Sequence, residues 1–187
     1  MLNLFLEQWP DDDNIPEARY MLATSLRALK RPQDAFAATL KLLRTEKTRV
    51  AANPKRWAYW QRRTGNQLAN DFFEDGDILN AQAIYAGLSA LSDDPAWQLP
   101  VTYQLGLCYE RLGVALQAHA SYQKIIDGVK DGAPASFLEL KRLAAWRIGE
   151  LDWHEAMNRK VTDLMVTRTG HLTDDAPIKA PQPLPLP

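Results

Sequence analysis

The residues of this chain that could perform chemistry are few and stand far apart. The histidines, His119, His154 and His171, do not pair with one another at the spacing of a metal site. Cys108, the single cysteine, sits beside Tyr109 without a neighbouring base, which favours a packed thiol over a nucleophile. The serines occur in no strained-turn motif, and the glycines are scattered singly, so no phosphate-binding loop is indicated. The sequence therefore predicts a protein that is not an enzyme and uses no metal or cofactor.

One stretch, residues 55–63, combines positive charges with aromatic rings. Its basic-aromatic residues are Lys55, Arg56, Trp57, Trp60 and Arg62. Guanidinium groups and rings together can hold a phosphate backbone and stack on bases, and they also dominate the binding energy of protein interfaces. On a helix, however, Trp57 and Trp60 share a face and could simply pack against Phe36 or Leu40. Core packing, a protein interface and single-stranded nucleic-acid binding all remain open, and nucleic acid is the least favoured.

The secondary structure that must position these residues is indicated by a sequence pattern that repeats along the chain. A pattern of small, aromatic and glycine residues returns after 37 positions (105 − 68 = 37). The later copy is Leu105, Gly106, Tyr109, Gly113, Ala118 and Tyr122, and the earlier copy is Leu68, Ala69, Phe72, Gly76, Ala81 and Tyr85. A fixed period in the 30s with small residues at matching places indicates stacked helical hairpins. Gly106 and Ala118 are expected to let two helices approach closely, with Tyr122 filling the space between neighbouring hairpins.

Helix start and stop signals divide the chain into four predicted units, at about residues 15–48, 55–92, 95–130 and 134–166. Asp94-Pro95 is a start signal, since it combines a capping carboxylate with proline at the first helical position. Gly113 is a stop signal, because glycine readily adopts the left-handed cap. The first unit is separated from the second by extra residues near Glu46–Trp57. The fourth unit is predicted to close the array, with a second helix at about Asp152–Val166.

Both ends of the chain depart from the repeat. Residues 1–12 resemble the end of a helix pair, which predicts a C-terminal piece of a longer array. The apolar side chains there, Leu2, Leu4, Phe5, Leu6 and Trp9, would then be buried by a neighbouring repeat or by a second copy. Residues 169–187 are rich in proline and are expected to form an extended, mobile tail.

These spacings resemble the tetratricopeptide repeat (TPR) family over about residues 1–166. The resemblance implies an all-α, right-handed α-solenoid that acts as a scaffold or adaptor, with a protein or peptide partner in the groove lined by first helices. Carried over by position, the groove residues are Tyr20, Thr24, Arg27, Arg63, Asn66, Gln67, Asn70, Tyr103, Gln104, Arg111, Lys141 and Arg142. Asn66, Asn70 and Arg142 match residue types with which family members hold a peptide carboxylate, but no matching lysine precedes them in the second unit.

Hydropathy and charge limit the kinds of partner that the chain can have. No apolar run approaches the roughly 20 residues that span a bilayer, so membrane insertion is not expected. The net charge is −1, yet Lys41–Arg63 holds eight basic residues and one acid, whereas residues 64–110 hold seven acids and no Lys or Arg. Such asymmetry can orient a partner. The chain alone points to the cytoplasm, and a cell-envelope location would need a signal in a preceding segment.

Overall fold

The computed structural model describes residues 1–44, 50 and 53–172, and this part of the chain contains eight α-helices and no strand. In chain order the helices are α1 (Leu2–Gln8), α2 (Ile15–Ala28), α3 (Pro32–Leu43), α4 (Pro54–Glu74), α5 (Ile78–Ser89), α6 (Pro95–Arg111), α7 (Ala115–Gly128) and α8 (Ala135–Leu172). The predicted all-α class is confirmed. The extra residues between the first and second units lie largely outside the described residues.

The helix ends follow the start and stop signals of the sequence. The Asp94 carboxylate accepts a 3.1 Å hydrogen bond from the Ala96 backbone N–H and so caps α6. The helices α4 and α6 end just before Gly76 and Gly113, which have φ angles of 82° and 71°. Residues other than glycine rarely adopt this left-handed backbone conformation, so the two glycines allow the turns to form.

Helices joined by these turns pack against each other: α2 with α3, α4 with α5, and α6 with α7. Because the connections are short, the two helices of each pair run antiparallel. Consecutive pairs also touch, since α2 contacts α4, α3 contacts both α4 and α5, and α5 contacts α6. At the N-terminus α1 packs on α2. Each helix pair is therefore in contact with the pair that follows it in the chain.

Small residues recur in the same register where the paired helices meet. A buried small residue on each first helix is followed twelve positions later by a buried alanine on the second helix: Ala23 and Ala35, Ala69 and Ala81, Gly106 and Ala118. A Cβ atom on Gly106 would lie only 2.5 Å from Cε1 of Tyr122. The ring of Tyr122 thus rests on Gly106 inside its own helix pair, where we had expected it to fill the space between neighbouring pairs.

The core continues across the helix pairs. Phe72 and Leu68 of α4 are fully buried together with Tyr85 of α5. A second cluster contains Ile15, Leu42 and Trp57, against which Phe5 and Leu6 of α1 pack. The N-terminal apolar residues are therefore only partly available, because Leu4 and Trp9 remain exposed whereas Phe5 and Leu6 are covered by the chain itself.

The last predicted unit differs from the expectation of a helix pair. The structure has one uninterrupted helix, α8, across the turn expected before Asp152. Gly149 is its only candidate breaker there, and glycine alone, without a cap or a proline, does not end a helix. Accordingly Ala144 is fully buried, whereas Ala156 is exposed because no helix returns to meet it.

The chain divides into two compact units, Met1–Ile148 and Gly149–Pro187. The described part of the second unit consists of the C-terminal portion of α8. Residues 169–172, which we had assigned to the proline-rich tail, continue this helix, and the rest of that predicted tail lies outside the described residues.

Candidate functional site

Two adjoining cavities open along α4 and α6, with volumes of about 220 Å³ and about 690 Å³. They share Arg62, Asn66 and Trp97 in their linings. Their other lining residues are Lys55, Ala58, Tyr59, Arg63, Asn70, Tyr85, Ala96, Pro100, Val101 and Gln104. We call this surface the α4–α6 groove. It brings together five residues that the sequence assigned to a partner-binding or basic surface on α4, together with Gln104 of α6.

Helical spacing explains why α4 presents these side chains on one face. Lys55, Tyr59, Arg62, Asn66 and Asn70 follow one another at intervals of three or four residues, which places them along one side of a helix. The opposite side of α4 carries the buried residues Trp57, Gln61, Thr64 and Leu68. Packing of that buried side on α2, α3 and α5 fixes the direction of the groove residues.

The groove is positively charged and contains no carboxylate in its lining. Lys55, Arg62 and Arg63 form no ion pair within the described residues. The Arg62 guanidinium instead lies 5.4 Å from the centroid of the Trp97 ring. Such stacking holds a guanidinium in place while leaving its N–H groups able to donate.

Arg63 is held by three aromatic side chains. It donates a 2.9 Å hydrogen bond to the Tyr59 hydroxyl and lies 5.3 Å from the Tyr20 ring and 5.7 Å from the Trp60 ring. The hydrogen bond to Tyr59 raises the pKa of Arg63 above its ordinary value. The rings of Tyr20 and Trp60 are themselves only 5.0 Å apart. The result is a positive charge in a fixed place at the edge of the groove.

The floor of the groove offers amide groups. The Tyr85 hydroxyl donates a hydrogen bond to Oδ1 of Asn70, and burial raises the pKa of Tyr85, so that it remains a donor. The Asn70 side chain lines the groove, and its NH2 group is not used in that hydrogen bond. Asn66 and Gln104 add two further side-chain amides to the lining. These groups suit hydrogen bonding to the backbone of an extended segment.

Two of the predicted residues of α2, Thr24 and Arg27, line a different cavity of about 440 Å³, together with the predicted Gln67 of α4. Arg27 forms an ion pair with Asp75 and also donates a 3.2 Å hydrogen bond to the Asp71 carbonyl. Tyr20 donates to the Gln67 side chain at 3.2 Å, and the Thr24 hydroxyl donates to the Tyr20 carbonyl at 3.0 Å. These side chains already make intramolecular contacts that hold α2 against α4.

Four other predicted groove residues lie outside the α4–α6 groove: Tyr103, Arg111, Lys141 and Arg142. Tyr103 packs 5.5 Å from Tyr122, and Arg111 lies 5.6 Å from the Phe73 ring. Lys141 donates to the Val129 carbonyl at 2.8 Å, and Arg142 pairs with Glu139 at 2.7 Å. None of these four residues lines the groove with the predicted residues Arg63, Asn66 and Asn70 of α4.

The basic-aromatic stretch is divided between two sides of α4. Arg56 forms a 3.0 Å ion pair with Glu17 of α2. Trp57 is buried against Ile15 and Leu42, where we had considered Phe36 or Leu40. Of the five basic-aromatic residues predicted to form a patch, only Lys55 and Arg62 line the groove, where Tyr59 and Arg63 join them. The predicted patch is therefore not one continuous surface.

Trp97 is the main groove residue that the sequence analysis missed. Its indole N–H donates a 2.7 Å hydrogen bond to the Leu88 carbonyl, which fixes the ring beside Arg62. A signal was present, because Trp97, Val101 and Gln104 follow one another at helical spacing just after the Asp94-Pro95 start. The contact with α4 depends on how the two helix pairs pack, which that spacing alone does not give.

Cys108 is fully buried, and burial raises the pKa of its thiol to about 12 from an ordinary value of 9.0. The thiolate is the reactive form, so at pH 8 the native protein should react with a soluble disulfide reagent roughly 1,000-fold more slowly than the urea-unfolded chain. Stopped-flow or manual absorbance measurements would give both rates. Comparable rates for the native and unfolded chains would contradict the buried position, and a Cys108→Ala variant supplies the blank.

Within the part of the chain that the structure describes, no three His, Cys, Asp or Glu side chains converge in a way that could hold a metal ion. Nor does any helix among the described residues have the length and apolarity needed to cross a membrane. The site must therefore be judged on its charged, aromatic and amide groups.

The groove lining combines fixed cations, aromatic faces and amide donors on two neighbouring helix pairs. These groups can bind carboxylates and a peptide backbone. Comparison with known proteins adds no independent information, because no protein-family model, curated protein or solved structure matches this chain.

Proposed function

We propose that this chain is a non-catalytic protein-interaction module that binds an extended, carboxylate-bearing segment of a partner protein in the α4–α6 groove. One observation carries the proposal: Lys55, Arg62 and Arg63 line the groove, and no Asp or Glu is part of its lining. A partner segment with Asp or Glu side chains would supply the missing counter-charges. The proposed architecture is a TPR-like α-solenoid, and the contacts between consecutive helix pairs support it.

The aromatic residues support a protein partner. Trp, Tyr and Arg are the residue types that most often dominate the binding energy of protein interfaces. Here Trp97 and Tyr59 flank Arg62 and Arg63 in the same lining. Arginine held against rings binds carboxylates with little loss of side-chain freedom. The amides of Asn66 and Asn70 are placed to donate to the carbonyl groups of an extended backbone.

The two other functions suggested by the sequence have less support. Nucleic-acid binding relied on residues 55–63 acting together, whereas Arg56 pairs with Glu17 and Trp57 is buried. Self-association through α1 relied on its whole apolar surface, whereas Phe5 and Leu6 pack on the chain itself. Binding of a labelled single-stranded oligonucleotide tests the nucleic-acid alternative.

A peptide selection on the full chain would test the proposal even though the partner is unidentified. Peptides selected from a random 12-residue display library should be enriched in Asp and Glu. Affinity for such a peptide, measured by fluorescence anisotropy, should fall at least about tenfold in Arg62→Glu and in Arg63→Glu, because each replaces an attraction with a repulsion. The matched control is Arg142→Glu, which makes the same charge change at an exposed position outside the groove.

Three outcomes would contradict the proposal. The selected peptides could lack acidic residues, or Arg142→Glu could weaken binding as much as Arg62→Glu does. A labelled single-stranded oligonucleotide could also bind more tightly than any selected peptide and lose its affinity in Arg62→Glu. The last result would assign the groove to nucleic acid, and such binding would weaken steeply with added salt.

A further inference from the structure

The C-terminal part of α8 exposes large apolar side chains along one side. Trp153, Met157 and Leu164 have exposed fractions of 56%, 39% and 71%. At 100° per residue they fall on one side of the helix, and Glu150 and Lys160 lie within the same arc of about 80°. We call these five residues the α8 stripe. In proteins, packing of an apolar face against a partner supplies most of a helix's stability, so an exposed apolar stripe on α8 marks an interaction surface.

The α8 stripe follows a heptad pattern. Glu150, Met157 and Leu164 occupy one core position of successive heptads, and Trp153 and Lys160 occupy the other. The opposite side of the helix carries the exposed ion pair between Glu155 and Arg159, with an N–O distance of 2.6 Å, and also the exposed Val166. Glu150 and Lys160 thus stand on either side of Trp153 and Met157, and Leu164 follows Lys160. Charged residues at core positions next to apolar ones are typical of a register-specific helix interface.

Neither charged residue of the α8 stripe forms an ion pair within the described residues. They cannot neutralise each other on the same helix, because ten residues of α-helix separate them by about 15 Å. A second copy of the helix can supply the opposite charge to both residues in one arrangement. When two copies run antiparallel, Glu150 of each lies opposite Lys160 of the other.

We propose that α8 associates with α8 of a second copy of this chain as an antiparallel pair through the α8 stripe. The two-fold axis passes at residue 155, since 150 + 160 and 153 + 157 have the same sum of 310. In this single register Trp153 of one copy packs on Met157 of the other, and each contact occurs twice, as in any two-fold interface. The antiparallel heptad geometry is satisfied throughout, because one core position always faces the other.

Charge selects this arrangement over a parallel pair. In a parallel, in-register pair Glu150 would face Glu150 and Lys160 would face Lys160, so that both outer layers would repel. In the antiparallel pair both layers attract. The same self-complementarity argues for a second copy over an unrelated protein helix, since the stripe already contains the charge pattern that matches its own reverse.

Sedimentation velocity on the full chain over a range of concentrations tests the proposal. The chain should dimerise, and Met157→Glu should raise the dimer dissociation constant at least about 100-fold, because it buries two unpaired carboxylates. Each of Glu150→Lys and Lys160→Glu should raise it about tenfold, and the double exchange of both residues should restore it to near the original value. The control is Glu155→Lys, an equal charge change on the opposite side of α8, which should have little effect.

Circular dichroism would verify that each variant retains its helix content. The proposal is overturned if the chain stays monomeric at all concentrations, or if Glu155→Lys disperses a dimer as effectively as Met157→Glu does. It is also overturned if Leu4→Glu, on α1, disperses the dimer while Met157→Glu does not. If the double exchange fails to restore association, the antiparallel register is wrong. A chain that dimerises only after truncation behind Leu172 would also overturn it, by showing that the chain's own C-terminal residues cover the stripe.

Discussion

Replacing Phe72 by alanine should lower the free energy of unfolding by about 3–5 kcal/mol, the usual range for a phenylalanine removed from a packed core. Phe72 is fully buried between helix pairs. Its ring meets the Phe36 ring edge-on with centroids 6.1 Å apart, and the Arg27 guanidinium lies 5.0 Å from it on the other side. Neither neighbour can fill the resulting cavity without breaking its own contacts. Urea unfolding followed by circular dichroism would measure the loss.

The adjacent residue supplies a matched control. Phe73→Ala makes the same substitution on the same helix, but Phe73 is only partly buried, so its loss should be clearly smaller. Equal losses for the two variants would mean that α4 does not bury the face that carries Phe72. Because that face also sets the direction of Arg62 and Asn66, such a result would remove the structural basis of the α4–α6 groove.

Replacing Gly106 by alanine should also destabilise the fold, by about 1–3 kcal/mol. Alanine is normally the better helix former by about 1 kcal/mol, so the expected sign is opposite to that of helix propensity. The reason is local: the new Cβ would lie 2.5 Å and 2.7 Å from Cε1 and Cζ of Tyr122. The Tyr122 ring is fully buried, so it can move away only by displacing the residues around it. The same urea titration would measure the change.

The same substitution at two other helical glycines gives a comparison for the stability change at Gly106. At Gly149 of α8 nothing lies within 4 Å of the added Cβ, so Gly149→Ala should stabilise the chain by about 0.5–1 kcal/mol. At Gly65 the added Cβ would meet the branched end of the Leu88 side chain at 2.5 Å. Leu88 is also fully buried, so Gly65→Ala should destabilise the chain as well. The loss should be smaller than for Gly106→Ala, because an aliphatic side chain adapts more readily than a rigid ring. If Gly106→Ala raised stability as Gly149→Ala does, the close approach of α6 and α7 would be wrong.

Local signals in the sequence predicted most helix ends. Asp94, Pro95 and Gly113 act on the residues beside them, so their effect does not depend on the rest of the fold. The extent of α8 was not predicted, because the turn expected there rested on the repeat period and on no local signal. The repeat period suggested that the chain would turn before Asp152, but no local cap is present there, and the helix continues. The repeat period predicts where a second helix would pack, but a turn forms there only if the local residues end the first helix.

The candidate site was predicted only in part because charge and composition do not specify direction. Arg56 and Arg62 belong to the same basic stretch, yet Arg56 pairs with Glu17 of α2 and Arg62 stacks on Trp97 of α6. Six residues along a helix turn a side chain by about 600°, which places the two arginines on different sides. Which side faces a neighbour is decided by the packing of distant helices. The resemblance in spacing located α4 but could not supply Trp97.

The contacts between consecutive helix pairs also bear on how the chain reaches its native state. Each pair touches the pair next to it in sequence, so the close approaches join positions that are never far apart along the chain. Chains with mainly short-range contacts close small loops first and fold quickly. The two helices that carry the groove's cations and tryptophan, α4 and α6, are bridged by α5, which contacts both. The binding surface can therefore assemble from one contiguous length of chain, before either terminus has found its place.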